Sequence, residues 1–301
     1  MYKQIDSNKR KSTILIVGFV LFIAFLGWLF GEIFAGGYFG LGVAAILAIL
    51  FALVGYYSSD KIVLTLSRAH QIDKEQVPRV YNLVENLCIT AGLPMPKIYI
   101  ILDPSPNAFA TGRNPEHASI ALTSGLIQKL NRVELEGVIA HELSHAKNYD
   151  IRLATLVVVF VGIIVLFSDF MRRSFWFGGR RRSKETGQIG VILFFIAIIL
   201  MILSPLIGKL IQLAISRKRE FLADADAALL TRYPEGLAQA LEKISQDVEP
   251  LRAATRATAH MFIISPLRGQ GRGRKVSWLN RLFMTHPPVE ERIRQLREMI
   301  K

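Results

Sequence analysis

The sequence predicts a mainly α-helical integral membrane protein that combines two apolar helical hairpins with a smaller α+β domain. Three observations indicate this class. Of the 301 residues, 51% are hydrophobic, and the mean hydropathy of +0.33 is higher than that of an ordinary water-soluble domain. The apolar residues are gathered into four long runs, and about 20 apolar residues suffice for a helix to cross a bilayer. The segments outside these runs carry the helix and strand patterns of a folded domain.

The first two runs predict a transmembrane hairpin over residues 13–57. Residues 13–31 carry no charge, and the second run follows almost at once, which argues against a cleaved signal peptide as the alternative. The preceding residues 1–12 form a basic tail, whereas the connector between the two runs holds no Lys or Arg. Because short cytoplasmic segments are enriched in basic residues, we expect the N-terminus to face the cytoplasm.

The other two runs predict a second apolar hairpin over residues 151–208, with a basic loop at residues 171–188. Its first run, residues 153–168, is short for a span, so a buried core helix or a re-entrant segment is the alternative. The loop carries six basic residues. If both runs cross completely, these charges violate the positive-inside rule, and if the rule holds, the pair does not cross completely. The sequence leaves both interpretations open.

The strong positive charge favours membrane lipid as a partner. The chain has 37 Lys and Arg against 24 Asp and Glu, which gives a net charge of +13. The basic loop lies between two apolar runs, so its charges are better placed for anionic headgroups than for nucleic acid, and we expect no nucleic-acid partner. The single cysteine, Cys88, excludes an intramolecular disulfide and a cysteine-cluster metal site.

Residues 58–150 and 209–301 predict two halves of one domain that the second hairpin interrupts. Apolar residues at helical spacing predict a first helix, which Gly92 and Pro94 end. Short apolar runs with β-branched residues predict the strands of a small sheet. The predicted helices lie at residues 77–91, 134–149, 216–230 and 289–299, and the predicted strands at residues 97–102 and 118–122.

The predicted helix at residues 134–149 carries the most informative motif, His141-Glu142-Leu143-Ser144-His145. Histidines four residues apart lie one above the other on a helix, so both rings can reach one metal ion, and imidazole suits zinc. Glu142 cannot easily share the coordination, but it can accept a proton from the attacking water. This spacing predicts one zinc ion per chain.

A hydrolytic zinc site also requires a third protein ligand. No histidine follows at the short spacing of the HExxHxxGxxH pattern. A glutamate from a later helix is the other common choice, and the predicted helix at residues 216–230 offers Glu220. Asp224 lies one turn further on the same face, where it can accept a hydrogen bond from a ligand histidine. The alternative for both acids is a solvated face that pairs with neighbouring basic residues.

The sequence resembles the HtpX heat-shock membrane proteases, a branch of the HExxH/Glu zinc metallopeptidases that is related to the CaaX prenyl-protein proteases. This resemblance implies a zincin-like metalloprotease domain, with a small sheet and the HExxH helix, in an inner-membrane endopeptidase whose active site is cytoplasmic. It also implies misfolded or damaged membrane proteins as substrates. The matching segments are the N-terminal apolar hairpin, residues 107–112 (NAFATG), 123–126 (TSGL), 141–150 (HELSHxxNxD), 216–228 (SRKREFLADADAA) and 285–288 (THPP).

By this resemblance, His141, His145 and Glu220 are the zinc ligands and Glu142 is the general base. By the same resemblance, Asp224 occupies the position of the residue that hydrogen-bonds to a ligand histidine. The sequence itself adds the physical reason, since a carboxylate at that spacing can fix the tautomer of a ligand histidine.

The resemblance also assigns a substrate-binding segment, Asn107-Ala108-Phe109-Ala110, as the edge strand on which metallopeptidases hold an extended substrate. An unpaired strand edge recognises main chain without demanding a particular side chain. An ordinary turn that begins at Asn107 is the alternative. A donor to the developing oxyanion is expected as well, and spacing does not choose among its three candidates. They are Arg217, His260 and His286.

Other functions are compatible with parts of the sequence. A catalytically silent metal-binding membrane scaffold would keep the fold and the metal, but the intact HExxH motif argues against it. A CaaX-type processing protease would have more spans than the four apolar runs. A metal transporter would place His, Asp or Glu inside its spans, and the first, second and fourth runs contain none. The sequence does not predict the oligomeric state.

Overall fold

The computed structural model describes residues 2–33, 37–178, 216–255, 257–264, 266 and 287–300. Its architecture is mainly helical with one small sheet, which confirms the predicted fold class. The helices are α1 (Tyr2–Ile33), α2 (Gly37–Leu66), α3 (Pro78–Ala91), α4 (Ser124–Lys129), α5 (Arg132–Lys147), α6 (Asp150–Gly178), α7 (Arg217–Thr231), α8 (Pro234–Gln246) and α9 (Val289–Glu298), and the strands are β1 (Ala69–Gln71), β2 (Lys97–Ile101), β3 (Ala108–Gly112) and β4 (Ala118–Thr123).

Two helices of the described chain are long and apolar enough to cross a membrane: Lys3–Trp28 within α1 and Tyr38–Leu66 within α2. Many of their large apolar side chains are exposed, such as Leu21 at 64% and Ile46 at 69%, which suits contact with lipid. α1 already begins at Tyr2. The segment predicted as a basic tail therefore forms the first turns of this helix, since Lys and Arg are good helix formers.

α6 begins in the folded domain and packs against α1 and α2. The ring of Phe19 in α1 stacks on Phe160 in α6, with the centroids 4.0 Å apart, and apolar side chains of both helices form one buried cluster. Up to Leu166, α6 is long and apolar enough for a span only when it is counted with α5, and the two helices meet at a bend of 81°. Residues 179–208, the rest of the predicted second hairpin, lie outside the described residues.

The sheet has the strand order β1-β2-β4-β3. β2 and β4 are parallel, whereas β1 and β3 pair antiparallel to their neighbours. β3 is thus an edge strand, in which Ala110 pairs with Ile120 of β4. The strands predicted at residues 97–102 and 118–122 are present within one residue at each end, while the three-residue strand β1 was not predicted.

The soluble core combines side chains from both sides of the second hairpin. One buried cluster joins residues of α3, the sheet and α5 to residues of α7, α8 and α9. Gly137 lets α5 and α8 approach closely, because a Cβ at that position would lie 2.8 Å from the backbone nitrogen of Leu237. α5 therefore lies in the centre of the domain, packed on α7 and α8.

Both ends of α5 are fixed by local structure. At its start, the Asn131 side chain accepts from the Glu134 N–H at 3.0 Å, and Glu134 accepts from the Asn131 N–H at 2.9 Å, which is a capping box. After its end, Tyr149 has a φ of 60°, a left-handed conformation that non-glycine residues rarely adopt. This residue turns the chain between α5 and α6, so Asp150 comes back towards the ring of His145.

Candidate metal centre

Three side chains of metal-ligating types converge on one point beside α5. The Nε2 atoms of His141 and His145 lie 3.1 Å apart. The Glu220 carboxylate reaches within 3.9 Å of the first ring and 3.6 Å of the second, and the ligand atoms of the three residues all lie within 4.8 Å of one another. A tetrahedral zinc site with ligands at about 2.0–2.1 Å spaces its ligand atoms roughly 3.3 Å apart. These three side chains therefore fit a single ion.

The helical periods of α5 and α7 explain this convergence. His141 and His145 lie one turn apart on α5, and Glu220 lies in the first turn of α7. All three are buried or nearly so, with side-chain exposures of 1%, 15% and 8%. Because α7 packs along α5, its acidic face is directed at the two rings rather than at solvent.

Each histidine has a carboxylate behind it. The Nδ1 atom of His141 lies 2.9 Å from Asp224 Oδ1, and the Nδ1 atom of His145 lies 3.1 Å from Asp150 Oδ2. Such a carboxylate fixes the tautomer and the orientation of the ring, so that Nε2 is left for a metal. Asp224 was among the predicted site residues. The contact of Asp150 was not foreseen, because it depends on the turn at Tyr149.

A buried arginine, Arg292 of α9, contacts two carboxylates of α7, and it was not predicted from the sequence. Its guanidinium donates to both oxygens of Asp224, at 2.7 Å and 2.8 Å, and lies 3.5 Å from a Glu220 oxygen. Burial alone would raise the pKa of Asp224, but Arg292 outweighs burial and holds this pKa below its usual value. Arg292 is only 1% exposed. In the sequence, nothing distinguishes it from Arg294 and Arg297 of the same helix.

The electric field of the site favours a cation at the convergence point. Burial lowers the pKa of His141 to about 4. Burial also opposes a charge on His145, but the hydrogen bond to Asp150 and the negative charges of Glu220 and Glu142 overcome it and raise the pKa of His145 to about 9. The acidic groups around the two rings therefore favour a positive charge at the point where the rings meet.

This donor set matches what a hydrolytic zinc site requires. Two imidazoles and one carboxylate are a common set of protein ligands for catalytic zinc, which leaves one position for water or substrate. Bound zinc would supply the positive charge that the surrounding carboxylates favour, and it requires the unprotonated Nε2 atom of each ring. The residues that would hold the ion are His141, His145 and Glu220.

Glu142 lies next to this point and against strand β3. Its side chain is buried, and burial raises its pKa to about 7, although the charge on His145 and the backbone N–H of Ala110 act in the opposite direction. A carboxyl group with a pKa near neutrality can both accept and return a proton. Ala110 lines the same small cavity, of about 40 Å³, as His141 and Glu142.

The other residues of the proposed substrate segment contact residues 262–264. The carbonyl oxygen of Ala108 accepts from the Ile263 N–H at 3.0 Å, and the Asn107 amide donates to the Ile264 carbonyl at 2.9 Å. Phe109 is fully buried and packs edge-on against Phe262. Successive residues of a strand point to opposite faces. Of the four residues, the structure brings Ala110 to the cavity, whereas Asn107, Ala108 and Phe109 do not line it.

The three oxyanion candidates lie in different places. His260 is 5% exposed and lines the cavity with the HExxH residues. Its Nε2 atom lies 3.4 Å from the Ala154 carbonyl oxygen. Arg217 is the exposed first residue of α7 and does not line the cavity, whereas the buried Arg219 does. His286 lies outside the described residues.

The geometry agrees with the known proteins that the chain matches. The chain is 45% identical over 298 residues to a protein named "Protease HtpX homolog" from Dictyoglomus thermophilum, with 99% of this chain and 94% of the relative covered. A relative of the same name from Caldanaerobacter subterraneus is 45% identical over 301 residues, with 99% and 98% covered. The one from Streptococcus uberis is 41% identical, with 99% and 100% covered.

The fold also matches a solved structure and a family model. The crystal structure of S. mikatae Ste24p superposes with a TM-score of 0.50 at 18% identity, over 98% of this chain and 67% of that one, which is a likeness of fold. The model of peptidase family M48 matches residues 74–300, a stretch that includes α5, α7 and α9. These matches show that the chain belongs to peptidase family M48. Since the two apolar helices α1 and α2 precede the matched residues, it is a membrane metallopeptidase.

Proposed function

We propose that the protein is a zinc-dependent endopeptidase that hydrolyses misfolded or damaged membrane proteins at the cytoplasmic face of the inner membrane. One observation carries this proposal. His141, His145 and Glu220 converge within 4.8 Å directly beside the buried Glu142. No other arrangement of the described residues supplies a metal-binding set and a proton acceptor in one cavity.

The chain's own groups account for the proton transfers of peptide hydrolysis. When zinc is bound, it supplies a Lewis acid that polarises the scissile carbonyl and acidifies the attacking water. Glu142 accepts the proton of that water, because burial has raised the pKa of its carboxyl to about 7. It then delivers the proton to the nitrogen of the leaving amine, so the carboxylate is restored at the end of the cycle.

The substrate backbone is held by the edge of β3 in this proposal. Ala110 is the residue of β3 that lines the cavity, and an edge strand can pair with an extended peptide of any sequence. His260 lines the cavity too, and we assign it the role of donor to the developing oxyanion. Such a donor acts on charge that appears only in the transition state.

The proposal also includes an orientation of the protein in the membrane. Asn8 near the start of α1 contacts Asp150 beside the metal centre, so the N-terminus and the active site belong to one side of the membrane. Lys3, Lys9 and Arg10 lie on that side, and the connector between α1 and α2 carries no basic residue. By the positive-inside rule that side is cytoplasmic. α1 and α2 then make the protein multi-pass.

The substrate class follows from where the cavity lies. The cavity lies at the start of α6, where Asp150 contacts Asn8 of membrane helix α1. In this proposal the site is therefore close to the membrane surface from which segments of other membrane proteins emerge. Recognition through main chain at a strand edge suits substrates that share no sequence, as damaged proteins do. The relatives' printed name, protease HtpX homolog, agrees with this activity.

The test compares the purified full chain with its Glu142→Gln variant in detergent. Bound zinc is measured in both, and cleavage is measured on an unfolded membrane protein and on an unfolded soluble protein. We expect about one zinc per chain in both proteins, and cleavage by the parent only, with the membrane substrate cut faster. Zinc in both without cleavage by either favours a silent scaffold. Preferential cleavage of a prenylated CaaX peptide favours a processing protease instead.

A further inference from the structure

A side chain of the first membrane helix is part of the hydrogen-bond network of the metal centre. Asn8 of α1 is fully buried. Its amide nitrogen donates to Asp150 Oδ1 at 2.6 Å and to the Asn148 carbonyl oxygen at 2.8 Å. Its amide oxygen accepts from the Arg219 guanidinium at 3.2 Å. Both N–H groups of the amide therefore donate a hydrogen bond, and its oxygen accepts one.

Asp150 divides its two oxygens between this amide and a proposed zinc ligand. Oδ1 accepts from Asn8 and lies 3.4 Å from Arg219. Oδ2 lies 3.1 Å from the Nδ1 atom of His145. Because a carboxylate is planar, fixing one oxygen fixes the direction of the other. Asn8 thereby determines how Asp150 meets the ring of His145.

The same amide contacts residues at the ends of three helices of the site, α5, α6 and α7. Asn148 ends the HExxH helix, Asp150 begins α6, and Arg219 is the neighbour of Glu220 on α7. We propose that Asn8 is a positioning residue of the metal centre, which orients His145 through Asp150 and thereby makes membrane helix α1 necessary for tight metal binding. This inference rests on the zinc site proposed above.

The chemistry of the position explains why an amide is needed. An aspartate at position 8 would repel Asp150, and a leucine would leave Asp150, Arg219 and the Asn148 carbonyl with fewer partners in a buried place. Only a side chain that offers two donors and an acceptor satisfies all three neighbours at once. Residue 8 is therefore not part of a solvated tail, although its charged surroundings in the sequence suggest one.

The experiment measures metal binding by the full-length protein in detergent. Asn8→Leu keeps the shape of the side chain and removes its hydrogen bonds. Ser12→Ala is the matched control, because Ser12 is also buried and lies one turn further on α1. Its hydroxyl donates to the Asn8 carbonyl oxygen and to no other group of the described residues. Zinc affinity is measured by competition with a chelator, and the visible absorption of bound Co²⁺ reports the geometry of the ligands.

We expect Asn8→Leu to weaken zinc binding by about tenfold, the lower end of the effect of groups that support metal ligands, and to shift the Co²⁺ spectrum. Ser12→Ala should match the parent in both. In an Asp150→Asn background, Asn8→Leu should add little, because it acts through the carboxylate that is already altered. These readouts do not depend on proteolysis.

Three results would overturn the inference. They are parental zinc affinity and Co²⁺ spectrum in Asn8→Leu, an equal loss in Ser12→Ala, and a full tenfold loss that persists in the Asp150→Asn background. A parent protein that binds no zinc would instead contradict the proposed function itself. A lower melting temperature alone would indicate a structural role, and it counts against the inference when metal binding is unchanged.

Discussion

The guanidinium of Arg292 lies 2.7 Å from an oxygen of Asp224, and that same oxygen lies 2.9 Å from the Nδ1 atom of His141. The Asp224 carboxylate therefore binds both the guanidinium of Arg292 and the ring of His141. All three side chains are at most 3% exposed. The proposed metal ligand His141 is thus held through Asp224 by a residue of α9, a helix that contributes no ligand to the proposed site.

The first prediction concerns this arginine. Arg292→Leu should destabilise the protein by about 3–5 kcal/mol, because it leaves Asp224 as a buried carboxylate without its cation. Urea unfolding of the detergent-solubilised domain, followed by circular dichroism, measures the change. Arg294→Leu on the same helix is the control, since Arg294 is 68% exposed, and it should stay within about 0.5 kcal/mol of the parent. Equal effects of the two changes would contradict the structure.

The second prediction concerns the metal ligands. His141→Ala and Glu220→Gln should each reduce bound zinc from about one per chain towards zero, because a site with two protein ligands holds zinc far more weakly than one with three. Metal content after dialysis, measured by atomic emission, checks this. Glu298→Gln, a change at a carboxylate that is 61% exposed, should leave the zinc content unaltered. Retention of a full equivalent by Glu220→Gln would require another third ligand.

A third prediction separates His260 from the metal ligands. His260→Ala should lower kcat by about 10²–10³ with little change in KM, because the lost donor acts on the transition state. Zinc content should remain that of the parent. His117, an exposed histidine of a short turn, provides the control, and His117→Ala should cleave at the parental rate. A loss of zinc from His260→Ala would point to ligation instead.

The fourth prediction tests the close approach of α5 and α8. Gly137→Ala should destabilise the protein by about 1–3 kcal/mol, since the new methyl group meets the backbone of Leu237. Gly162 is the control, because a Cβ there would have no atom of the described residues within 4 Å. Gly162→Ala should be neutral or stabilising by up to about 1 kcal/mol, as alanine is the better helix former. Thermal unfolding of both variants in the same detergent gives the comparison.

Much of the fold could be predicted from the sequence, because its signals are local. The charge-free runs of α1 and α2 have the length of a membrane span. The helices predicted at residues 77–91, 134–149 and 216–230 agree with α3, α5 and α7 to within two residues at each end. The spacing of His141, Glu142 and His145 on one helix predicted that they would share a site. Glu220 could be named as the glutamate of a later predicted helix, and the resemblance to the HExxH/Glu zinc metallopeptidases assigned it as a ligand.

The missed features depend on contacts between distant parts of the chain. Asn8 stands among lysines and an arginine, so its surroundings predict exposure, yet packing of α1 against the domain buries it. Asp150 reaches His145 only because Tyr149 adopts a left-handed conformation. Arg292 has the same local pattern as its exposed neighbours, and its burial is decided by where α9 docks. No single-residue signal indicates Asn8 or Arg292. Asp150 ends the matching segment HELSHxxNxD, but the segment does not show which side chain Asp150 contacts.

The order of the ligands along the chain sets the order in which the site can be assembled. A chain that emerges from the ribosome folds from its N-terminal end, and α1 and α5 are made long before α7 and α9. His141 and His145 therefore exist without Glu220 until the residues of α6 and the segment after it have been synthesised. Arg292 comes later still. The growing chain consequently carries the two histidines of the proposed metal centre before the carboxylate of Glu220 and the guanidinium that holds Asp224 have been made.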